Sequence, residues 1–150
     1  MTSIEIPNGV TSIGSYTFHG CSNLSSVTFG DNSQLTSIGF EAFQGCKSLT
    51  SIEIPSGVTS IDKYAFRECT SLTRVEIPSS VTSIGAMAFY DCSNLVLIKC
   101  YAERISSGND LFSYGVVEIR VPGNRVDYYE SLWGPNSYNN YNNYLLAELI

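Results

Sequence analysis

Five cysteines are the residues of this sequence with the most obvious chemical potential, either as metal ligands or as disulfides. They are Cys21, Cys46, Cys69, Cys92 and Cys100, separated by 25, 23, 23 and 8 residues. No two of them form the close C-x₂-C pair that organises a structural zinc site, so we expect no metal. If the first four stacked in a ladder, their Cα atoms would lie about 5 Å apart, a separation that a disulfide can span. Ladder side chains point side by side, however, and we favour free, buried thiols.

The other candidates for catalysis are one histidine and a few carboxylates. His19 has no fixed partner in the sequence, and a single histidine makes no catalytic triad. Glu53 and Glu76 are expected to lie in a surface column, which is commoner than an acid/base pair in a cleft. No phosphate-binding loop, G-x-G-x-x-G or H-E-x-x-H motif is present. The sequence therefore predicts no catalytic site, no cofactor and no metal, and so no enzyme.

The residues between these candidates form an internal repeat, which must position them. Four segments align without gaps: 10–29, 35–54, 58–77 and 81–100. Each holds isoleucine, phenylalanine, cysteine and leucine in the same slots, and the phenylalanines are Phe18, Phe43, Phe66 and Phe89. So few apolar positions cannot close a core within one unit. Each unit must therefore stack on its neighbours and share one long interior.

Each unit ends in a short alternating pattern, such as LTSIEI over residues 49–54, which predicts a β-strand. Strands separated by a whole unit can pair only in parallel, at about 4.8 Å per step. Pro55 and Pro78 follow directly, where the strands must end. The middle of each unit is too short for a long helix and predicts a turn or a 3₁₀ winding on the opposite side.

The motif I-P-x-x-V-T-S-I-G-x-x-A-F-x-x-C-x-x-L-x-x-I-x-I over residues 2–122 closely resembles the BspA-type leucine-rich repeat, also called the Treponema pallidum type. The resemblance implies an α/β repeat solenoid, a right-handed leucine-rich-repeat stack with one parallel β-sheet and short turns or 3₁₀ windings opposite. It also implies an exported bacterial protein, secreted or on the cell surface, and a role in adhesion to host proteins or other cells.

We divide the chain into a repeat solenoid, residues 1–122, and a C-terminal cap, residues 123–150. The solenoid comprises a partial coil at 2–9, full coils near 10–34, 35–57, 58–80 and 81–104, and a degenerate coil at 105–122. In the cap, Val126, Tyr129, Leu132 and Trp133 recur at helical spacing, and Asn124 is placed to cap the helix. The segment VPGNRVDYYESLW also resembles the family's C-terminal motif. Residues 138–150 either complete the cap or form a flexible tail.

The outward strand positions are the candidate partner-binding residues, because they form two columns across the predicted sheet. One column contains Ser51, Arg74, Leu97 and Glu118, and the other contains Glu53, Glu76, Lys99 and Arg120. Repeat proteins commonly bind through such a concave face, although solvated strand positions also vary when nothing constrains them. An exposed Leu97 between Arg74 and Glu118 favours contact with a partner. We expect a protein-binding or adhesion module, and the alternative is a structural spacer or display stalk with no ligand of its own.

Charge and hydropathy exclude two classes of partner. Eight basic and fourteen acidic residues give a net charge of −6 and a pI of about 4.6, so we expect no nucleic acid. No run of about 18 apolar residues is present, so we expect no membrane insertion. Residues 2–9 (TSIEIPNG) match residues 50–57 (TSIEIPSG), so the sequence starts inside a repeat. We therefore expect a fragment of a longer protein, with weak self-association at its N-terminal end.

Overall fold

The computed structural model of the chain describes residues 1–112, 118–133 and 145–149, and these form a stack of coils. The long strand that ends each coil is present as predicted and pairs in parallel with the strand of the next coil, except between the second and third of these strands. These strands are β1 (Ser3–Ile6), β3 (Ser26–Phe29), β5 (Ser51–Glu53), β7 (Arg74–Ile77), β9 (Leu97–Cys100) and β11 (Glu118–Val121). The predicted parallel-sheet solenoid is confirmed, with about six turns and one short α-helix among the described residues.

A second parallel ladder runs along the stack, and the sequence analysis did not anticipate it. Each rung is a two-residue strand near the start of a coil; the first four rungs are Ser-Ile, with the serine facing outward and the isoleucine buried, and the last is Ser-Ser. Threonine hydroxyls extend this ladder, since Thr36 Oγ1 donates to the carbonyl of Thr11 at 2.9 Å and Thr59 Oγ1 to that of Thr36 at 3.2 Å. The strands are β2 (Ser12–Ile13), β4 (Ser37–Ile38), β6 (Ser60–Ile61), β8 (Ser83–Ile84) and β10 (Ser106–Ser107).

A column of phenylalanine rings occupies the shared interior. Phe43 and Phe66 stack at 5.2 Å with 3° between the ring planes, and Phe66 and Phe89 stack at 5.4 Å with 1°. Phe18 extends the column at one end and Phe112 at the other. Each stacked pair contributes about 1 kcal/mol beyond the burial of its surface. The expectation that phenylalanine covers phenylalanine is confirmed.

Cys46, Cys69 and Cys92 form a second buried column. All five cysteines are free, as expected, but Cys21 is only half-buried. Each thiol of the column donates to the phenylalanine carbonyl of the preceding coil: Cys46 to Phe18 at 3.2 Å, Cys69 to Phe43 at 3.2 Å and Cys92 to Phe66 at 3.1 Å. Burial raises the pKa of Cys46 and Cys92 to about 12, and burial likewise raises the pKa of Cys69. The cysteine slot is therefore a hydrogen-bonded packing position in which the thiol stays protonated.

Tight turns on the side opposite the long strands require left-handed backbone at two fixed slots. The first slot contains Tyr16, Glu41, Tyr64, Met87 and Asp110, with φ between 51° and 62°. The second holds Gly20 and Gly45, at 69° and 73°, but Glu68 and Asp91 in the later coils, at 59° and 57°. A side chain in this conformation strains the backbone by about 1 kcal/mol, because its Cβ crowds the following carbonyl. The later coils therefore carry strain that the first two coils avoid.

The C-terminal segment closes over the last coil. After β11 the chain forms a 3₁₀ helix, Gly123–Arg125, then α1, Val126–Trp133, and returns as β12, Leu145–Glu148, parallel to β11. The predicted helix face is confirmed, since Tyr129 and Trp133 are fully buried and Val126 and Leu132 pack against the core. The predicted cap at Asn124 is wrong, because the winding starts one residue earlier, after Pro122, and has no side-chain cap.

Hydrogen bonds and ring contacts join α1 to the coil beneath it. Tyr129 Oη donates to the carbonyl of Ala102 at 2.8 Å, and Trp133 Nε1 donates to Ser107 Oγ at 3.1 Å. The Trp133 ring meets Phe112 edge-on at 5.9 Å and so ends the phenylalanine column. Most of the predicted 138–150 segment lies outside the described residues. The division at residue 122 stays a prediction, and so does the self-association expected at the N-terminal end.

The thiol column predicts which cysteine reacts in the folded protein. Cys21 is half-buried, whereas the other four cysteines are buried. With Ellman's reagent at pH 8 we expect one thiol per chain to react without denaturant and all five to react in guanidinium, because thiolate formation requires access to water. Cys21→Ser should abolish the native reaction. Rapid labelling of two or more thiols in the folded Cys21→Ser protein would contradict the buried column.

The left-handed slot predicts a stabilising glycine. Glu68→Ala removes the side chain but keeps the strained backbone, whereas Glu68→Gly also releases the strain. We expect the glycine variant to be more stable to urea than the alanine variant by about 1 kcal/mol. A Cβ built on Gly45 in the same slot meets nothing closer than 3.6 Å, so the difference reports backbone conformation and not a clash. Equal stability of the two variants would show that this slot is unstrained.

Candidate binding face

The outward positions of β5, β7, β9 and β11 form one surface, which we call the sheet face. Strand register sets Arg74 opposite Ser51 and Leu97, and Glu76 opposite Glu53 and Lys99. On the next rung Glu118 lies opposite Leu97, and Arg120 opposite Lys99. The inward residues between them, Ile52, Val75, Ile98 and Ile119, are buried. All eight predicted residues therefore share this face in the two predicted columns, and their role in binding stays a prediction.

Ion pairs within the face use all three of its cationic side chains. Glu76 Oε1 lies 2.9 Å from Arg74 Nη2 and 3.5 Å from Lys99 Nζ. Glu118 Oε1 accepts from Arg120 Nε at 2.7 Å. These side chains are between 30% and 59% exposed, so solvent screens the pairs and each contributes less than about 1 kcal/mol. The pairs orient the side chains on the face more than they stabilise the fold.

Glu53 differs from the other carboxylates of the sheet face. It is exposed, it stands directly opposite Glu76, and no described residue forms an ion pair with it. Like charges directly opposite each other on neighbouring strands repel. Arg74 and Lys99 both turn to Glu76, so the negative charge of Glu53 is left uncompensated.

The apolar contribution to the face differs from the expected one. Leu97 was expected to be exposed, but it is half-buried between its in-register neighbours Arg74 and Glu118. The exposed apolar side chains are those that flank β9, namely Val96 at 59% and Tyr101 at 41%. Long charged side chains cover apolar surface with their stems, which accounts for the difference.

Tyr101 stands at the rim of a depression on the sheet face with a volume of about 510 Å³. Ser51, Glu53, Arg74 and Glu76 also line it, and the half-buried Pro78 supplies apolar surface. The sequence analysis missed Tyr101, although a signal was present. It follows β9 in the slot where Pro55 and Pro78 follow the earlier strands.

The ladder of long strands is interrupted between β3 and β5. β1 pairs with β3, and β5 pairs with β7, but β3 and β5 form no ladder, and a groove of about 530 Å³ lies along them. On the other sides of the same two coils the backbone bonds persist, as between Thr36 N and the Thr11 carbonyl at 2.8 Å. The rings of Phe18 and Phe43 are tilted by 16°, against 3° and 1° farther along. The joint at residues 30–34 has two more residues than the later joints, which explains the local mismatch.

The groups that could carry catalysis or bind a metal are dispersed. His19 Nδ1 lies 3.1 Å from Glu41 Oε2 on the turn side, away from the sheet face. Within residues 1–112, 118–133 and 145–149, no three His, Cys, Asp or Glu side chains are grouped so that they could hold a metal ion. α1 has eight residues, and the described part of the chain contains no helix with the length and apolar character of a membrane span.

Comparison with known sequences identifies the repeat. The pattern described as "BspA type Leucine rich repeat region" matches residues 1–117 in six copies. The chain belongs to the BspA-type leucine-rich repeat family. A search of curated proteins found no match. The resemblance inferred from the I-P-x-x-V-T-S-I-G motif is thereby confirmed.

Three solved bacterial structures share the fold. The pneumococcal vaccine antigen PcpA superposes with a TM-score of 0.75 at 28% identity, covering 81% of this chain and 31% of that one. A leucine-rich repeat protein from Bacteroides ovatus gives 0.64 at 24% identity, with coverages of 97% and 43%. The Treponema pallidum leucine-rich repeat protein gives 0.70 at 22% identity, with coverages of 98% and 73%. The chain thus spans about a third of the PcpA structure and is a leucine-rich repeat protein of the bacterial surface-antigen type.

The exposed ion pairs predict that the sheet face tolerates mutation. We expect Arg74→Ala/Glu76→Ala/Lys99→Ala to unfold in urea within about 1 kcal/mol of the unmutated chain, because all three charges leave together and none is left buried. Phe66→Ala, a fully buried position, should cost about 3 to 5 kcal/mol in the same assay. A loss above about 2 kcal/mol in the triple variant would mean that the pairs hold the fold together.

Proposed function

We propose that this chain is a non-enzymatic protein-binding or adhesion module of an exported bacterial protein, and that it binds through the sheet face. The observation that carries the proposal is a contrast between the two ladders. Every rung of the short ladder presents a serine outward, whereas the rungs of the sheet face present serine, arginine, leucine, lysine and glutamate. Both are solvated strand surfaces of one stack. If outward residues varied only because nothing constrained them, the residues of the short ladder would vary as well, but they are all serine.

The surface of the molecule supports binding better than catalysis. Glu53 is exposed, and Glu76 is partly exposed and already forms ion pairs with two cations, so neither has the water-excluded environment that acid/base catalysis uses. The depression beside them combines charged groups, apolar surface and an aromatic rim, a composition typical of interface residues that anchor a partner.

The similarity to PcpA supports a place outside the cell, secreted or on the surface, because a vaccine antigen must be accessible to antibodies. The rival function is a spacer or display stalk. The continuous phenylalanine column and the mutual pairing of most charges on the sheet face favour it, since both suit a stiff rod without a ligand. A binding experiment separates the two functions.

In that experiment the purified chain is passed over a panel of immobilised host matrix proteins. We expect at least one to bind, and Arg74→Ala/Glu76→Ala/Leu97→Ala/Lys99→Ala to weaken that binding at least tenfold by surface plasmon resonance. Centrally placed interface residues commonly contribute 1 kcal/mol or more each, and a tenfold change corresponds to about 1.4 kcal/mol.

The matched control changes four exposed side chains on the other surfaces of the same coils: Thr59→Ala/Lys63→Ala/Thr82→Ala/Asn94→Ala. This variant should bind like the unmutated chain. Equal losses in the two variants would exclude the sheet face as the binding surface. Absence of binding to every member of the panel would favour the spacer.

A further inference from the structure

We infer that the depression beneath Tyr101 receives a basic side chain, arginine or lysine, of an extended segment of the partner protein. The inference rests on the proposed function and specifies which chemistry the sheet face recognises.

Charge complementarity is the first step. Two carboxylates, Glu53 and Glu76, and one guanidinium, Arg74, line the depression, and the Lys99 ammonium lies beside it. Arg74 Nη2 is committed to Glu76 Oε1 at 2.9 Å, and Lys99 approaches the same oxygen. The remaining acceptor capacity is therefore on Glu53. A cation there relieves the repulsion between Glu53 and the directly opposite Glu76.

The apolar surface of the depression distinguishes a basic side chain from a small inorganic cation. The half-buried ring of Pro78 and the exposed ring of Tyr101 provide a surface against which the carbon stem of lysine or arginine can pack. Tyr101, 41% exposed at the rim, offers a ring face or a phenol oxygen to the cationic end. A metal ion would instead need three or more clustered oxygen or nitrogen ligands, which this part of the described chain does not bring together.

The volume and the whole-chain charge agree with a side chain presented by a macromolecule. About 510 Å³ accommodates one long side chain and a part of its neighbours, and the depression lies on the sheet face, so an extended segment can continue over that face. The net charge of −6 attracts a basic partner at long range and raises its association rate. Glu53 then fixes the position at which the cation stops.

The direct test uses a fluorescein-labelled peptide of alternating glycine and arginine, three residues of each, and its glycine–glutamate counterpart. By fluorescence anisotropy we expect the arginine peptide to bind and the glutamate peptide not to bind. Glu53→Gln should weaken binding about tenfold, because a charge-assisted hydrogen bond is lost. Tyr101→Ala should weaken it about fivefold through loss of the cation–ring contact.

Glu5→Gln is the matched control. Glu5 occupies the same column and the same repeat slot, is exposed and has no ion pair within the described residues, but it lies outside the depression. It also changes the net charge of the chain by the same amount. We expect binding to be unchanged in this variant. Equal weakening by Glu5→Gln and Glu53→Gln would reduce the effect to general electrostatic attraction and overturn the inference.

Failure of the inference and failure of the proposed function give different results. Suppose that a matrix protein binds through the sheet face, but that Glu53→Gln has no effect and the arginine peptide does not compete. The proposed function then stands, and the inference that the depression receives a basic side chain is wrong. If binding of the arginine peptide depends on Glu53 but no matrix protein of the panel binds, the inference stands and the proposed function fails for that panel. Absence of peptide binding in low salt, where attraction of opposite charges is strongest, also overturns the inference.

Discussion

In-register stacking of coils is the constraint on which the rest of the structure depends. A coil has no core of its own. Its phenylalanine needs the ring of the next coil, and its thiol needs a carbonyl of the preceding coil, as Cys69 needs that of Phe43. Each coil is therefore folded only as a neighbour of another, and each buried slot must hold an apolar residue that packs on its equivalents in the neighbouring coils, as Ile52, Val75 and Ile98 do. Only residues that face outward escape this requirement, both on the sheet face and at the turns, where Tyr16, Glu41 and Met87 share one slot.

The same constraint explains where the stack departs from regularity. Backbone bonds link equivalent residues, so two extra residues in the joint at 30–34 must be absorbed locally. The short ladder and the turns remain bonded there, while β3 and β5 separate and the Phe18 ring tilts. A stack held by several parallel sets of bonds can thus lose one set at one step without losing register in the next. At the C-terminal end Trp133 takes the place of the next phenylalanine, so a helix can close the column.

The repeat made most of the fold predictable, because features that recur in register can be read in four copies at once. The repeat predicts the long strands, the phenylalanine column and the free thiols. The buried face of α1 follows instead from apolar residues at helical spacing. The short ladder was not predicted because Thr-Ser-Ile is too short to show the alternation of polar and apolar residues that indicates a strand. Asn124 was misread because propensity identifies a capping residue but not the residue at which a 3₁₀ winding starts. The eight residues of the candidate face were placed correctly, whereas the burial of Leu97, the exposure of Tyr101 and the ion pairs of Glu76 depend on side-chain contacts that strand periodicity does not contain.

The arrangement of charge on the sheet face bears on how such a module achieves specificity. An open strand surface excludes little water, so each of its ion pairs contributes little, and Arg74, Lys99 and Arg120 are already satisfied within the chain. A partner that offered only acidic groups would have to compete with Glu76 and Glu118 for them. A partner that offers a basic group meets Glu53, which has no competitor among the described residues. If the sheet face binds a partner as proposed, its selectivity comes from Glu53, the one charge on the face that the described residues leave unpaired. Affinity must come from contacts repeated along further rungs, as a longer solenoid would provide.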